Sequence, residues 1–219
     1  MLSAFPGQPR ILKGALASLD PLAPLASVIV FQYNPERLSR TLQPLSAQGG
    51  DQDEALRLRG APIETIQMEV QIEALDQVAS GHPVARSLGL YPQISALEML
   101  VTPKAARVVA NASLMSMGTL EIIPPAAPLT VLVWGPRRVV PVRVQSLAVT
   151  EEAYDNQLNP VRARVDLGLR VLTYDDLPPA SPGYGLYLAN QMLREAMASL
   201  VGVEAAATAL LSGGSLFQG

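Results

Sequence analysis

Along residues 161–171, apolar and polar side chains alternate strictly. A period of two places one set of side chains in a core and the other set outward, which predicts a half-buried strand. Residues 66–74 alternate in the same way and predict a second strand of this kind. The outward positions of the first strand are mainly basic and those of the second are acidic: Arg162, Arg164 and Arg170 on one, Glu69 and Glu73 on the other.

The opposite charges of these two outward faces leave three interpretations open. Charge on an outward strand face is often simply solvated. Opposite charges on neighbouring strands of one sheet form cross-strand pairs. The same charges on two copies can instead pair across a head-to-tail contact, which closes into a ring when the rotation allows it.

Strand patterns also fill most of residues 120–177 outside these segments. Residues 129–134 and 139–149 are rich in Val and Leu, and Gly135-Pro136 marks a turn between them. A shorter strand is predicted at 120–123. Several strands at short spacing favour an antiparallel sandwich or barrel over repeated β-α-β units.

The N-terminal third predicts a hairpin followed by a long loop. Residues 28–33 form a β-branched and aromatic run that ends at Asn34-Pro35, where a turn is favoured. Residues 37–42 then have the pattern of a returning strand. Residues 44–61 mix Gly, Asp and Gln without periodicity, which is typical of a functional or disordered loop.

One short helix is predicted at residues 92–102, because Pro92 suits a first turn and Ile94, Leu97 and Val101 have helical spacing. Residues 103–118 carry mixed helical and loop signals and are left unassigned. The overall prediction is a mainly β (α+β) fold with this short helix and a C-terminal helix.

After a Pro-rich break, residues 184–211 become rich in Ala, Leu and Met with few charges. Helical spacing and low charge predict a helix that docks against a partner or another copy. Gly202 and Glu204 interrupt the apolar stretch and disfavour a membrane span. The sequence therefore predicts a β domain at 1–177, and a linker with a docking helix at 178–219.

Composition points to surface that is covered by partners. Charged residues make up 16% of the 219 residues, against roughly 25% in typical soluble domains. The net charge of −3 gives no general nucleic-acid footprint, and the arginines at 137–170 lack interleaved aromatics for base stacking. The absence of cysteine excludes disulfides and thiolate metal sites. The first residues lack a signal-peptide pattern, so folding in the cytoplasm is expected.

Each candidate catalytic or metal-binding group lacks residues that its chemistry requires. His82 is the sole histidine and lacks the companions that a triad or zinc site requires. The LMSMG segment at 114–118 resembles a nucleophile elbow, but Leu114 stands where the first glycine belongs. Asp51, Asp53 and Glu54 lack the further ligands of a calcium loop. The sequence predicts neither an enzyme nor a cofactor.

Four segments together resemble one protein family. They are FQYNPERLSRTLQP at 31–44, APIETIQMEVQIEALDQ at 61–77, the run from VWGPRR to LTYDDL at 133–177, and YLANQ at 187–191. They resemble the tube and tube-adaptor (baseplate hub) family of contractile injection systems, phage-tail-like particles related to type VI secretion systems. Many members continue into a LysM-like module, whereas here the Ala-rich helix occupies that position.

The resemblance implies a structural protein with a β-barrel or sandwich of the phage tail-tube kind. It implies a homohexameric ring that joins the inner tube to the spike and baseplate. Its partners would be other copies and the inner tube, spike and baseplate proteins, without nucleic acid and without a membrane. The expected location is a particle assembled in the cytoplasm, with release left open. The predicted subunit-interface residues are Arg137, Arg138, Arg162, Arg164, Arg170, Glu69, Glu73, Leu193, Met197 and Leu200.

A second reading of the same chain remains. A soluble β-barrel binding module for an unknown ligand would show the same strand patterns. It predicts a stable monomer with a pocket, whereas the ring reading predicts self-association or dependence on partners.

Overall fold

A single antiparallel sheet of seven strands forms the centre of the molecule, with the order β2-β1-β5-β6-β7-β4-β3. The computed structural model describes residues 13–19, 27–31, 33–45, 58–79, 81–116 and 128–212. The strands are β1 (Ala15–Leu19), β2 (Ser27–Val30), β3 (Leu38–Gln43), β4 (Ile63–Glu73), β5 (Leu129–Val133), β6 (Val139–Tyr154) and β7 (Pro160–Val171).

The two alternating segments form neighbouring strands of this sheet, which is one of the arrangements that the sequence left open. β4 pairs with β7 so that Val70 lies opposite Val165 and Glu73 lies opposite Arg162. The apolar positions of both strands face the core and are almost fully buried, while the charged positions within residues 66–73 and 161–171 face outward. Period-two alternation therefore identified the buried face of both strands correctly.

β5 and β6 form a hairpin whose turn contains Gly135 and Pro136, as the sequence predicted. Gly135 has a φ of 70°, a conformation that glycine adopts without steric cost. The Trp134 amide donates to the Arg138 carbonyl at 2.7 Å and closes the turn. This turn brings Arg137 and Arg138 to one end of the sheet.

The predicted hairpin between residues 28–33 and 37–42 is wrong. β2 pairs with β1, whereas β3 pairs with β4, so the two segments lie at opposite ends of the strand order. Six successive antiparallel pairings give β2 and β3 the same direction within the sheet, so the segment at Asn34-Pro35 is not a hairpin turn. Local turn chemistry does not specify which strand will be the neighbour. The Asn34 side chain instead accepts a hydrogen bond from the Gly14 amide at 2.9 Å.

The sheet cannot be flat and must curl. Phe31 still bonds to Gly14 beside β1, and the chain then reaches β3 at Leu38. Seven extended residues span at most about 25 Å, whereas six strand spacings of a flat sheet span about 29 Å. The two ends of the strand order therefore approach each other, and Phe31 joins the same buried core as Val70 and Val165.

Four helices connect β4 to β5 in the described ranges, where the sequence predicted one. They are α1 (Leu75–Ala79), α2 (Pro83–Leu88), α3 (Tyr91–Glu98) and α4 (Ala105–Ser116). α3 corresponds to the predicted helix and buries Ile94 and Leu97 as expected. α4 covers most of the segment that was left unassigned because it carried mixed helical and loop signals.

The C-terminal helix was predicted correctly and is slightly longer than expected. α5 (Pro182–Ser212) has 31 residues and packs against β6. Its residue Tyr187 is buried in the core of the sheet. The division between a domain at 1–177 and a docking element at 178–219 stays a prediction, and the first half of the helix contacts the sheet directly. The predicted strand at 120–123 and residues 46–57 of the predicted loop lie outside the described residues.

Candidate subunit interface

The outward charges of β4 and β7 pair within the sheet. Arg162 donates to Glu73 through Nη2 at 2.7 Å and through Nε at 3.0 Å. This hydrogen bond, followed by the charge of Glu73, raises the pKa of the Arg162 guanidinium. Arg164 lies between Glu69, at 3.3 Å, and Glu152 on β6, at 3.0 Å.

These ion pairs correspond to the cross-strand alternative that the sequence left open. They are partly exposed, and such surface pairs contribute between zero and about 1 kcal/mol each. Because the charges already have partners in one molecule, they give no separate reason for pairing between copies. A contact of this face with a neighbouring subunit stays a prediction.

Arg170 also pairs locally. Its Nη2 lies 2.9 Å from Asp176, which follows β7. The Thr173 amide donates to the other carboxylate oxygen of Asp176 at 3.0 Å, so Asp176 closes the turn after the strand.

Glu64 is the most informative charged residue of the molecule. It lies on the core face of β4, and its side chain is only 3% exposed. Arg40 on β3 donates to one carboxylate oxygen at 2.7 Å, and Arg194 on α5 donates to the other at 2.8 Å. One buried carboxylate thus connects β3, β4 and the C-terminal helix.

Arg138 is half-buried next to this group. Burial lowers the pKa of Arg138, the charges of Arg40 and Arg194 act in the same direction, and Glu64 opposes them. Among the described residues, Arg138 makes no side-chain hydrogen bond or ion pair. Its neighbour Arg137 is exposed and contributes only its carbonyl, which accepts from Asn190 of α5 at 3.3 Å.

The two halves of α5 have different surroundings. In the first half, Tyr187 packs edge-to-face on Tyr174 at a ring distance of 5.7 Å, and burial raises the pKa of its hydroxyl. Leu193 and Met197, both predicted interface residues, are half-buried. Leu200 is 66% exposed, and its place in a subunit interface stays a prediction.

α4 is the second exposed apolar surface. Nearly all of its described side chains are exposed, which is unusual for a helix of 12 residues. Large apolar side chains rarely cluster at the surface of a soluble monomer unless they form a binding site. The exposed ones on this helix are Val108, Val109, Leu114 and Met115.

Catalytic or metal-binding geometry is not found in the part of the chain that the structure describes. His82 is exposed at the start of α2. Within the same ranges, no three His, Asp or Glu side chains converge as a metal site would require. None of the described helices is long and apolar enough to cross a membrane.

The sequence analysis missed Arg40, Glu64 and Arg194. The alternation of β4 contained a usable signal, because Glu64 lies on the same face of the strand as Ile66 and Met68. A carboxylate at a core position requires a partner, because an unpaired buried charge is costly. The identity of that partner was not predictable, since Arg194 is 130 residues away.

Comparison with known proteins gives distant structural matches. No protein-family model and no curated protein matches the chain. A chain from the C6-symmetric tail of an empty gene transfer agent particle matches with a TM-score of 0.28 and 10% identity, covering 72% of this chain and 90% of that chain. A chain from the virion of the native gene transfer agent matches over the same shares, with a TM-score of 0.26 and 10% identity.

The first match is described as part of a tail. Likeness at this level assigns no role to the present chain. The adaptor role and the ring of six stay predictions.

Proposed function

We propose that this chain is a structural, ring-forming adaptor of a contractile injection system, and that it is not an enzyme. In this role it joins the inner tube to the spike and baseplate inside a phage-tail-like particle. The observation that carries the proposal is the exposed apolar surface along α4 and at Leu200 and Val201 of α5. Such a surface is favourable only when another molecule covers it.

The positions of the family-like segments support the same role. The FQYNPE segment includes the Asn34 side chain that bonds to Gly14. The VWGPRR segment forms the β5–β6 turn, and the YLANQ segment supplies Tyr187 and Asn190, which attach α5 to the sheet. The resemblance therefore falls on residues that shape the scaffold, as expected for a protein that acts through geometry.

The mechanism that follows is mechanical. The curled sheet is expected to be rigid, because its strands are held by ladder hydrogen bonds and cross-strand ion pairs. Copies arranged as a ring around one axis would present one defined face to the tube and another to the spike. The helices α4 and α5 would supply the contacts to the neighbouring proteins.

Affinity purification from the native host tests this proposal. The tagged chain would be captured under gentle conditions, its partners identified by mass spectrometry and the eluate imaged by negative-stain electron microscopy. Tube, sheath and spike proteins together with rod-shaped particles are expected. Recovery of a lone monomer, without such proteins, would contradict the adaptor role and favour the binding-module reading.

The binding-module reading has weaker support from the cavities. A partly enclosed cavity lies between β2, β4, β7 and α3, with a volume of about 230 Å³. Ligand pockets usually measure roughly 300–1,000 Å³, so this cavity is small for a drug-sized ligand. A second cavity of about 970 Å³ has the size of a ligand pocket, but it is an open depression lined largely by outward polar residues such as Gln67, Glu69 and Asp166. We therefore retain the structural role as the proposal.

A further inference from the structure

Leu158, in the turn between β6 and β7, combines an unfavourable backbone conformation with high exposure. Its φ is 62°, a left-handed conformation that large side chains rarely adopt. Its side chain is 74% exposed, the largest exposed fraction among the large apolar side chains of the described residues. The conformation of Leu158 therefore costs free energy, and the side chain gains little burial within its own molecule.

The turn that presents Leu158 is fixed by hydrogen bonds. The Leu158 amide donates to the Asp155 carbonyl at 3.1 Å. The Asp155 carboxylate accepts from the Gln157 amide at 2.7 Å and from the Asn159 amide at 2.9 Å. The Asn159 side chain also donates to the Ser87 carbonyl at 3.3 Å, which attaches the turn to α2. A side chain that is already held in one position loses little conformational entropy when a partner binds it.

The cavity between β2, β4, β7 and α3 can receive a leucine side chain. Its volume is about 230 Å³, whereas an apolar protein cavity of roughly 150 Å³ already admits a benzene molecule. Leu158 does not line this cavity, so the molecule does not fill it with its own turn. The buried apolar side chains of its walls include Phe31, Val70, Ile72, Leu90, Val165 and Leu167.

The polar groups beside the turn and the cavity are also complementary. Gln93 of α3 lines the cavity, and its Oε1 is buried without a hydrogen-bond partner among the described residues. Two exposed residues with amide side chains, Asn156 and Gln157, precede Leu158 in the turn. A side-chain amide can donate to a carbonyl oxygen such as Gln93 Oε1, which would remove the cost of a buried acceptor without a donor.

We propose that Leu158 of one molecule inserts into this cavity of a second copy of the chain. A second copy is favoured over a different protein because both complementary surfaces occur on this chain. The contact is heterologous, since the turn and the cavity are different surfaces, and contacts of this type close into a ring when the rotation allows it. The inference rests on the proposed ring-forming role and deepens it, because it names the residue and the site of one subunit contact.

Self-association of the purified full chain tests the proposal. Sedimentation-velocity ultracentrifugation over a range of concentrations should show species larger than dimers for the wild type. Leu158→Asn removes the apolar side chain and introduces a residue that tolerates a positive φ. We expect it to weaken self-association at least about tenfold. The matched control is Leu58→Asn, which removes another highly exposed leucine and should change self-association less than about twofold.

A second variant tests the cavity. Gln93→Trp places an indole ring in the cavity from α3 and should also weaken self-association at least about tenfold. Its control is Ser95→Trp, which adds the same ring at an exposed position of α3 that does not line the cavity. This control should change self-association less than about twofold. Because Leu158 lies at the surface, the proposal stays testable through Leu158→Asn if Gln93→Trp does not fold.

A mixture of the two variants distinguishes a heterologous contact from a symmetric one. Leu158→Asn keeps the cavity, and Gln93→Trp keeps the turn, so each pair of unlike molecules can form one contact. The mixture should therefore contain one-to-one dimers and no larger species. Larger species, or no dimers at all, would contradict the proposed contact.

Thermal unfolding shows whether Leu158 instead supports the fold of its own molecule. Leu158→Asn should melt at the temperature of the wild type or above it, because backbone strain is relieved and little buried surface is lost. A clear fall in the melting temperature would overturn the proposal. So would a wild type that is monomeric at every concentration, or an equal loss of self-association in the control variants. Self-association needs no other tail protein, so these results are separate from the affinity purification that tests the adaptor role.

Discussion

Glu64 is the residue whose loss should destabilise the fold most. The variant Glu64→Gln leaves Arg40 and Arg194 without their shared anion, and breaking a buried ion pair costs about 3–5 kcal/mol. The arginines are partly exposed, so we expect the lower end of that range in urea unfolding. The control is Glu69→Gln on the exposed face of the same strand, which should cost less than about 1 kcal/mol. Equal effects would refute this role for Glu64.

Gly89 is a position where only glycine fits. Its φ is 55°, and a Cβ there would lie 2.4 Å from the backbone carbonyl oxygen of Pro160. That carbonyl also accepts from the Leu90 amide at 2.7 Å, so it is fixed. Gly89→Ala should lower the free energy of unfolding by at least about 2 kcal/mol.

The matched control for this glycine is Gly81→Ala. Gly81 also has a positive φ, of 79°, but nothing lies within 4 Å of the added Cβ. Its variant should show only the backbone strain of about 1 kcal/mol. Identical melting temperatures for the two variants would show that the contact with Pro160 is unimportant.

Asp155 gives the β6–β7 turn a dependence on pH. The Asn159 side chain and amide donate to its carboxylate, as does the Gln157 amide, and these bonds hold the pKa of Asp155 below its ordinary value of 3.8. The stabilisation is therefore complete above that value and disappears as the pH falls through the lower folded pKa. Relative to wild type, Asp155→Asn should lose stability at neutral pH, with the difference shrinking below about pH 4. A difference that is constant with pH would contradict this assignment.

At the scale of elements, α5 should behave as two parts. A chain that ends after residue 202 keeps Tyr187 and Arg194, so its melting temperature should stay close to that of the full chain. A chain that ends after residue 181 loses both, and also leaves Glu64 with one partner. We expect it to lose at least about 3 kcal/mol. Equal stability of the two truncated chains, measured by urea unfolding, would show that the helix does not support the sheet.

At the scale of the whole molecule, the apolar surface of α4 should affect assembly but not folding. The double variant carries Val108→Gln and Met115→Gln. It changes two exposed side chains that are seven positions apart and therefore lie on the same face of the helix. Exposed substitutions usually change stability by less than about 0.5 kcal/mol. Recovery of tube, spike and baseplate proteins in the affinity purification should nevertheless fall several-fold.

The control for this variant is Ser113→Gln, which adds the same side chain at an exposed polar position of α4. It should leave partner recovery unchanged. Undiminished recovery with the double variant would remove α4 from the interface, and the exposed end of α5 would remain as the candidate surface.

The mainly β class, the buried faces of β4 and β7 and the existence of α5 could be predicted from the amino-acid sequence. Each rests on a local periodicity, because the direction of successive side chains follows from the backbone conformation of the segment itself. Alternation at 161–171 was enough to separate Val165 from Arg164. The absence of catalytic motifs was also a property of the sequence, and the non-enzymatic role stays a proposal.

Only the tertiary structure decided which segments are neighbours. The turn at Asn34-Pro35 has the local chemistry of a hairpin, yet β2 and β3 lie at opposite ends of the strand order because the curled sheet places them there. The partners of Glu64 and of the outward arginines follow from that same arrangement. Periodicity is determined within a few residues, whereas strand pairing depends on how the whole chain buries its apolar surface. The cluster of Arg40, Glu64, Arg138 and Arg194 could therefore be recognised only in the folded structure.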